Sequence, residues 1–242
     1  MDILDNMPII VSAKSINNAY LELLSKFASE NNIYESKSAI INIEDIYNSQ
    51  LPNRVMEPYN KYYRVFIQNS LLEQKWNLQD NEWYLSYARR IMSERNGINL
   101  WTKARQELLK NTASRRCVIL TYRDDDDFLN YLPSLLSIQF TIENDRMNML
   151  TIWRSKELYT ALPVNILCMH SLMRIMFNEL KTQHESLRMG IYTEIIGSLH
   201  KLADSNKPLK FGDNLNDLNL EKVKFYWSVL EKGKENEYDR NY

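Results

Sequence analysis

The chain has 242 residues, 30 Lys+Arg against 31 Asp+Glu, a formal net charge of −1 and 44% hydrophobic side chains. Its five glycines are about 2% of the chain against a usual ~7%, and neither G-x-G-x-x-G nor G-x-x-x-x-G-K-[ST] occurs, which argues against dinucleotide folds and P-loop enzymes. The near-neutral, mixed charge offers no basic field for duplex DNA or RNA, so nucleic acid is not an expected partner.

The N-terminus Met1-Asp2-Ile3-Leu4-Asp5 is acidic where a signal peptide needs a basic start, and no apolar stretch approaches the ~18 residues of a membrane span. A cytoplasmic protein without a membrane partner is expected. Pro8-Ile9-Ile10-Val11 reads as a strand, and the run from Ser15 to Leu24 reads as a helix, with a capping serine and apolar positions at helical spacing. The same spacing predicts helices from about Tyr59 to Trp76 and from Ile98 to Leu109. Arg116 to Tyr122, Leu136 to Ile142 and Arg146 to Trp153 are β-branched and aromatic runs. The last two are joined by Asn144-Asp145 as a hairpin. After Pro163 the residues Ile166 to Phe177 are apolar nearly all round, as in a helix buried at the centre of a domain. Met189 to Ser198 is a strand, Leu218 to Glu231 an amphipathic helix, and Gly233 to Tyr242 a charged tail expected to be frayed or disordered. No repeat, low-complexity tract or linker divides the chain. The expectation is one α+β domain over residues 1–232, with one large mixed sheet packed against helices and a long buried central helix.

Few residue groups suggest chemistry. Cys117 and Cys168 lie in apolar runs, too few for a disulfide framework or a C-x-x-C metal site, and suit a reducing compartment. Asp124-Asp125-Asp126-Asp127 offers hard oxygen ligands, but adjacent carboxylates cannot all converge on one ion and no calcium-loop pattern follows, so a solvated loop is expected. His170, His184 and His200 have no ligand spacing. His170 is expected as a hydrogen-bonded core residue and His184 at the surface, and no metal site is expected. Ser114-Arg115-Arg116 before a strand and Arg154-Ser155 after one are the sharper signal. Guanidinium forks with a neighbouring hydroxyl suit a phosphate, although such arginines more often form surface salt bridges.

At these residues the sequence resembles the thymidylate synthase family and its relatives that hydroxymethylate cytidylates. The family's Ser-Arg-Arg appears as Ser114-Arg115-Arg116. Its Pro-Cys-His with a following Gln-Phe falls at Pro133-Ser134-Leu135 and Gln139-Phe140. Arg-Ser, an acidic residue and Pro-Phe-Asn appear as Arg154-Ser155, Glu157 and Pro163-Val164-Asn165, and Gly-x-x-His as Gly197 to His200. The match runs from about Trp83 to His200. It implies the family's fold and a dimer formed through the backs of two sheets. Arg115 and Arg116 would reach the nucleotide phosphate of the neighbouring subunit, and Arg154 and Ser155 that of their own. Asn165 would face the pyrimidine edge, where its amide can pair with O4 and N3–H of a uracil; the resemblance implies uracil over cytosine because the cytidylate relatives tend to carry an acid there. His200 would lie near the sugar.

The departures from the family pattern carry the functional reading. The family's chemistry begins with a thiolate, and this chain has Ser134 at that position, whose hydroxyl ionises far less readily. Leu135 stands for the following His, Trp153 for Gln, Val164 for Phe and Leu202 for a sugar-binding Tyr. Residues Glu231 to Tyr242 lack the short apolar tail that closes over folate. The folate-pocket Trp is not assigned among Trp76, Trp83 and Trp101, and no residue is assigned as the family's catalytic Glu. Phosphate-side residues are kept while the nucleophile and folate side are lost. The reading is therefore a thymidylate synthase-like pseudoenzyme that binds a pyrimidine nucleotide, or a similar phosphorylated ligand, without cysteine-dependent methylation. Methylene-tetrahydrofolate is the only cofactor implied, and those losses argue against it. Two alternatives stay open. One is an enzyme that modifies a pyrimidine nucleotide in specialised metabolism non-covalently, a C1-transferase-like activity with Ser134, Glu157, His200 or Tyr87 as candidate catalytic groups. The other is an interaction subunit paired with an active homologue in place of the homodimer.

Overall fold

The structure is a computed structural model and describes residues 7–28, 37–45, 87, 90–92, 94–95, 98–122, 132–158 and 161–200. The helices expected at 59–76 and 218–231, the aspartates 124–127 and the tail from 233 lie outside these residues.

Local sequence builds a β–α–β unit first. Strand β1 (Ile9–Ala13) buries Ile9, Val11 and Ala13 and turns Ile10 and Ser12 outward. Ser15 caps helix α1 (Ile16–Ala28), its hydroxyl accepting the Asn18 N–H at 3.2 Å, and Ile16, Ala19, Tyr20, Leu23 and Leu24 form the buried stripe. Lys26 ties the last turn back to β1 by donating to the Ile10 carbonyl at 2.6 Å. Strand β2 (Lys37–Ile43) returns parallel to β1.

Strands β3 (Glu94–Arg95) and β4 (Ile98–Asn99) pair in a small separate sheet ahead of helix α2 (Leu100–Lys110). Spacing alone starts this helix at Ile98. The observed start is two residues later because the Asn99 side chain accepts the Thr102 N–H at 3.0 Å and serves as the cap. Strand β5 (Val118–Leu120) is likewise shorter than the run from Arg116. The Arg116 N–H turns back to the Ser114 hydroxyl at 3.2 Å and the Arg116 carbonyl accepts the Val118 N–H at 2.8 Å, which takes those groups out of the ladder.

Strands β6 (Leu135–Glu143) and β7 (Arg146–Trp153) form the expected hairpin. Asn144 and Asp145 adopt φ of 52° and 58°, the left-handed pair that a two-residue turn of this hand needs and that Asn and Asp tolerate. After the short strand β8 (Lys156–Glu157) comes helix α3 (Ala161–Lys181), then strand β9 (Arg188–His200). Helix α3 begins before Pro163, not after it. A proline in the first turn lacks only an N–H with no helical partner there, and the Glu157 carboxylate accepts the Ala161 N–H at 3.1 Å. Its Leu162, Ile166, Met169, Met173, Met176 and Leu180 are buried, as expected of a central helix.

The strand order is β1-β2-β9-β7-β6-β5, with β8 added on β9. The pairs β1/β2 and β7/β9 are parallel and spanned by α1 and α3, while β2/β9, β6/β7 and β5/β6 are antiparallel, so the sheet is mixed. Register puts Val11, Ile41, Glu194, Thr151, Ile138 and Ile119 in one row across the buried face, under the helices. One residue along, Ile10, Ile40, Ile195, Ile152, Ser137 and Leu120 form a row on the opposite face, where Ile10, Ile195 and Leu120 are exposed. The next outward row is partly polar, with Asn42 linking Ser12 at 3.2 Å and Thr193 at 2.9 Å.

His170 on α3 is buried, but its Nε2 has no hydrogen-bond partner among the described residues, unlike the bonded core histidine expected. His184 is half-buried rather than at the surface. Burial, with the Arg174 charge adding and Asp45 opposing, pulls the His170 pKa from 6.5 to about 4. Between these values the unfolded chain binds the proton and the folded one does not. Stability should therefore be flat above pH 6.5 and fall on acidification, by up to about 3 kcal/mol at pH 4. Urea unfolding across this range, with His170→Leu for comparison, checks it. An equal acid loss in both proteins assigns the effect elsewhere.

Candidate anion site

Pairing of Leu135 with Trp153 brings the residues just beyond them, Ser134 and Arg154, together at one end of the β6/β7 hairpin. The Arg154 N–H donates to the Ser134 carbonyl at 2.8 Å. The Arg154 guanidinium folds over the same segment, its Nε donating to the Pro133 carbonyl at 3.1 Å, Nη2 to the Leu132 carbonyl at 2.7 Å and Nη1 to the Ser155 hydroxyl at 3.1 Å. A guanidinium has five N–H donors, so these three bonds leave one on each terminal nitrogen, on an exposed side chain. Since Ser155 Oγ accepts from Arg154, its own proton is available toward Ser134 Oγ, 3.5 Å away. The Ser134 N–H donates to the hydroxyl of the buried Tyr87 at 2.8 Å. Both backbone polar groups of Ser134 are thus clamped. Among the described residues its hydroxyl faces another hydroxyl, not a base.

Arg115 and Arg116 do not join this cluster. Both are exposed in the segment before β5, and the Arg115 carbonyl accepts from Gln139 Nε2 at 3.4 Å. Gln139 and Ser134 are five residues apart along the hairpin, on the order of 17 Å in extended chain. Ser114 is buried and structural, its hydroxyl donating to Glu107 of α2 at 2.5 Å.

Glu157 and His200 are opposite one another in the β8/β9 register, and the Leu158 N–H closes the ladder on the His200 carbonyl at 2.9 Å. Gly197 permits this approach of β9 to the Arg154 turn, since a Cβ there would meet the Arg154 carbonyl at 2.9 Å. Glu157 is buried and committed in part to capping α3, and Asn165, also buried, lies one turn into that helix. His200 Nδ1 lies 3.3 Å from the Ser198 carbonyl. The sheet therefore unites Ser134, Arg154 and Ser155, and puts Glu157 and His200 on the strands that continue from them.

Neither thiol is placed to react. Both cysteines are buried. Burial pushes Cys117 up to about 12, against the Phe140 backbone hydrogen bond and with the Glu107 charge adding to it. Burial also raises Cys168 well above the usual thiol range, against the Lys156 charge. Trp101 is taken up by the core, its indole donating to Glu179 at 3.3 Å and its ring standing edge-on to Phe140, while Trp76, Trp83, Leu202 and residues 231–242 lie outside the described residues. Among the described residues no three His, Cys, Asp or Glu side chains gather as a metal site, and no helix is long and apolar enough to cross a membrane.

Beneath the anion cluster is a buried polar group that motif reading passes over. Lys156 and Glu194 form an ion pair with neither side chain exposed. Burial pulls Lys156 well below the ordinary lysine range, with the neighbouring Cys168 opposing, and its Nζ meets the Glu194 carboxylate and lies over the Trp153 ring. Period-2 alternation was the available signal: Glu194 shares its parity with Tyr192 and Ile196, so it had to face inward and find a partner.

Comparison with known proteins follows the same lines. The thymidylate synthase family model matches residues 2–201. A Methanosarcina barkeri (strain Fusaro / DSM 804) protein named "Putative thymidylate synthase" is 24% identical over 204 residues, covering 79% of this chain and 88% of its own. The structure of thermostable thymidylate synthase A from Bacillus subtilis superposes with a TM-score of 0.55 at 14% identity, over 86% of this chain and 93% of that one.

Proposed function

Because the chain belongs to the thymidylate synthase family, we propose that it binds a pyrimidine nucleotide, or a similarly phosphorylated ligand, without forming a cysteine adduct. The observation that carries this reading is Arg154: three of its N–H groups hold the Leu132–Pro133 and Ser155 frame, and one on each terminal nitrogen remains for an anion. Ser134 at the nucleophile position, bonded to Ser155 and Tyr87, and two buried thiols of raised pKa support a non-covalent role. In this reading Asn165 meets the pyrimidine edge. Arg115 and Arg116, beside the middle of β6 and away from the Ser134–Arg154 cluster, serve the site of a second copy. The apolar row of Ile10, Ile40, Ile195, Ile152 and Leu120 lies on the face that no helix covers among the described residues, which supports a homodimer.

Titration calorimetry tests it. Uridine monophosphate should bind, more tightly than cytidine monophosphate, and Arg154→Ala should weaken it roughly hundredfold, the worth of two charge-assisted hydrogen bonds. No binding of either nucleotide, or binding that ignores Arg154→Ala, ends this reading. A catalytic alternative has one observation in its favour, the pairing of Glu157 with His200 on strands leading from the cluster. Mass spectrometry of nucleotides incubated with the protein, with and without methylene-tetrahydrofolate, decides it, and an unchanged nucleotide counts against an enzyme.

A further inference from the structure

We propose that Lys156, Glu194 and Trp153 are positioning residues of the anion site, a buried unit that holds the Arg154–Ser155 pair in its binding geometry; this rests on the reading of Arg154 and Ser155 as ligand contacts. Their arrangement is directional. The Trp153 indole, which can only donate, gives its N–H to Thr151 Oγ1 at 3.1 Å; Thr151 therefore passes its own proton to Tyr192, 3.0 Å away, and Tyr192 donates to Glu194 Oε2 at 3.1 Å. The other carboxylate oxygen, Oε1, holds Lys156, whose ammonium sits 3.5 Å from the Trp153 ring centroid. The circuit thus starts and ends on Trp153, gripping it at the indole N–H and on the ring face.

Two links connect this unit to the site. Trp153 and Lys156 flank Arg154–Ser155 in the chain, so that dipeptide is strung between two buried side chains locked to each other. Trp153 also stands edge-on to Tyr87, 5.7 Å between centroids at 76°, and the Tyr87 hydroxyl holds the Ser134 N–H while the Ser134 carbonyl holds the Arg154 N–H. The site's backbone is therefore fixed from both sides by one network. Stability alone does not account for two fully buried charges, since an apolar pair of similar volume is commonly as stable. Proton delivery does not account for them either, because the circuit's terminal indole N–H cannot accept a proton and so opens no path to Ser134.

The test uses uridine monophosphate and inorganic phosphate as probes in calorimetry. The double variant Lys156→Met/Glu194→Gln removes both charges and keeps an acceptor for Tyr192. It should fold, and should bind the probes at least about tenfold more weakly, as expected when a supporting shell loosens a site. In that background Arg154→Ala should cost less than in the wild type, a coupling that a merely structural pair does not produce. Wild-type affinity in a folded double variant, or strictly additive losses, overturns the inference and leaves the nucleotide reading standing. A wild type that binds neither probe overturns both. If the double variant does not fold, Trp153→Phe, which keeps a ring beside Tyr87 and drops the indole N–H, decides between the same outcomes.

Discussion

Lys156→Met on its own should lower the stability of the protein by about 3–5 kcal/mol, the usual cost of leaving one partner of a buried pair without the other. The reason is local. Glu194 is at the middle of the row under α3, wholly inaccessible, and without Lys156 the Tyr192 hydroxyl is the partner left to it among the described residues. A carboxylate there must either keep its charge in a low-dielectric interior or take up a proton, and both are costly. The melting temperature of a domain this size should drop on the order of 10 °C. Adding Glu194→Gln to the same chain should restore most of the loss, because the stranded charge goes with it. Thermal unfolding of the two variants side by side is the measurement. A double variant no more stable than the single one shows that Lys156 acts through packing of its stem on Trp153, not through charge.

The second large effect is expected on the opposite face of the same strand. Ile195 sits in the middle of the outward row, between Ile40 and Ile152, and is exposed. In the proposed homodimer two such faces meet, and a self-complementary interface presents every substitution twice. Ile195→Asp therefore inserts two carboxylates into the apolar seam and should convert the protein to monomers of 28.8 kDa. Sedimentation equilibrium reads this directly, with unfolding measured alongside to show that the fold persists. An acidic variant that stays dimeric places the interface elsewhere. A wild type already monomeric when pure favours a heteromer with a homologue over the homodimer.

Much of this fold was legible in the residues. Alternation in Ile9–Ala13 and Arg146–Trp153, the Asn144-Asp145 turn and the apolar run through α3 each reflect the geometry of a single element, and each element formed where its pattern lay. Boundaries were the weaker part. Asn99 caps α2 so that it starts two residues inside the predicted helix, and Glu157 caps α3 from the preceding strand, two residues ahead of Pro163 at Ala161. Side-chain capping bonds are decided residue by residue, and hydrophobic spacing does not register them.

The candidate site divides in the same way. By itself the sequence determined which side chains are present: two arginine–hydroxyl motifs, a serine where the family's nucleophile stands, and cysteines confined to apolar runs. Only the tertiary structure decided which of them meet. Hairpin register put Ser134 beside Arg154, the pairing of β5 with β6 left Arg115 and Arg116 beside the middle of β6, and the parallel pairing of β7 with β9 across the α3 crossover set Glu194 beneath Lys156. A residue's own pattern reports its face and its element. Which residue faces it from a strand forty positions away depends on strand order and register, and those are fixed by the packing of the whole sheet.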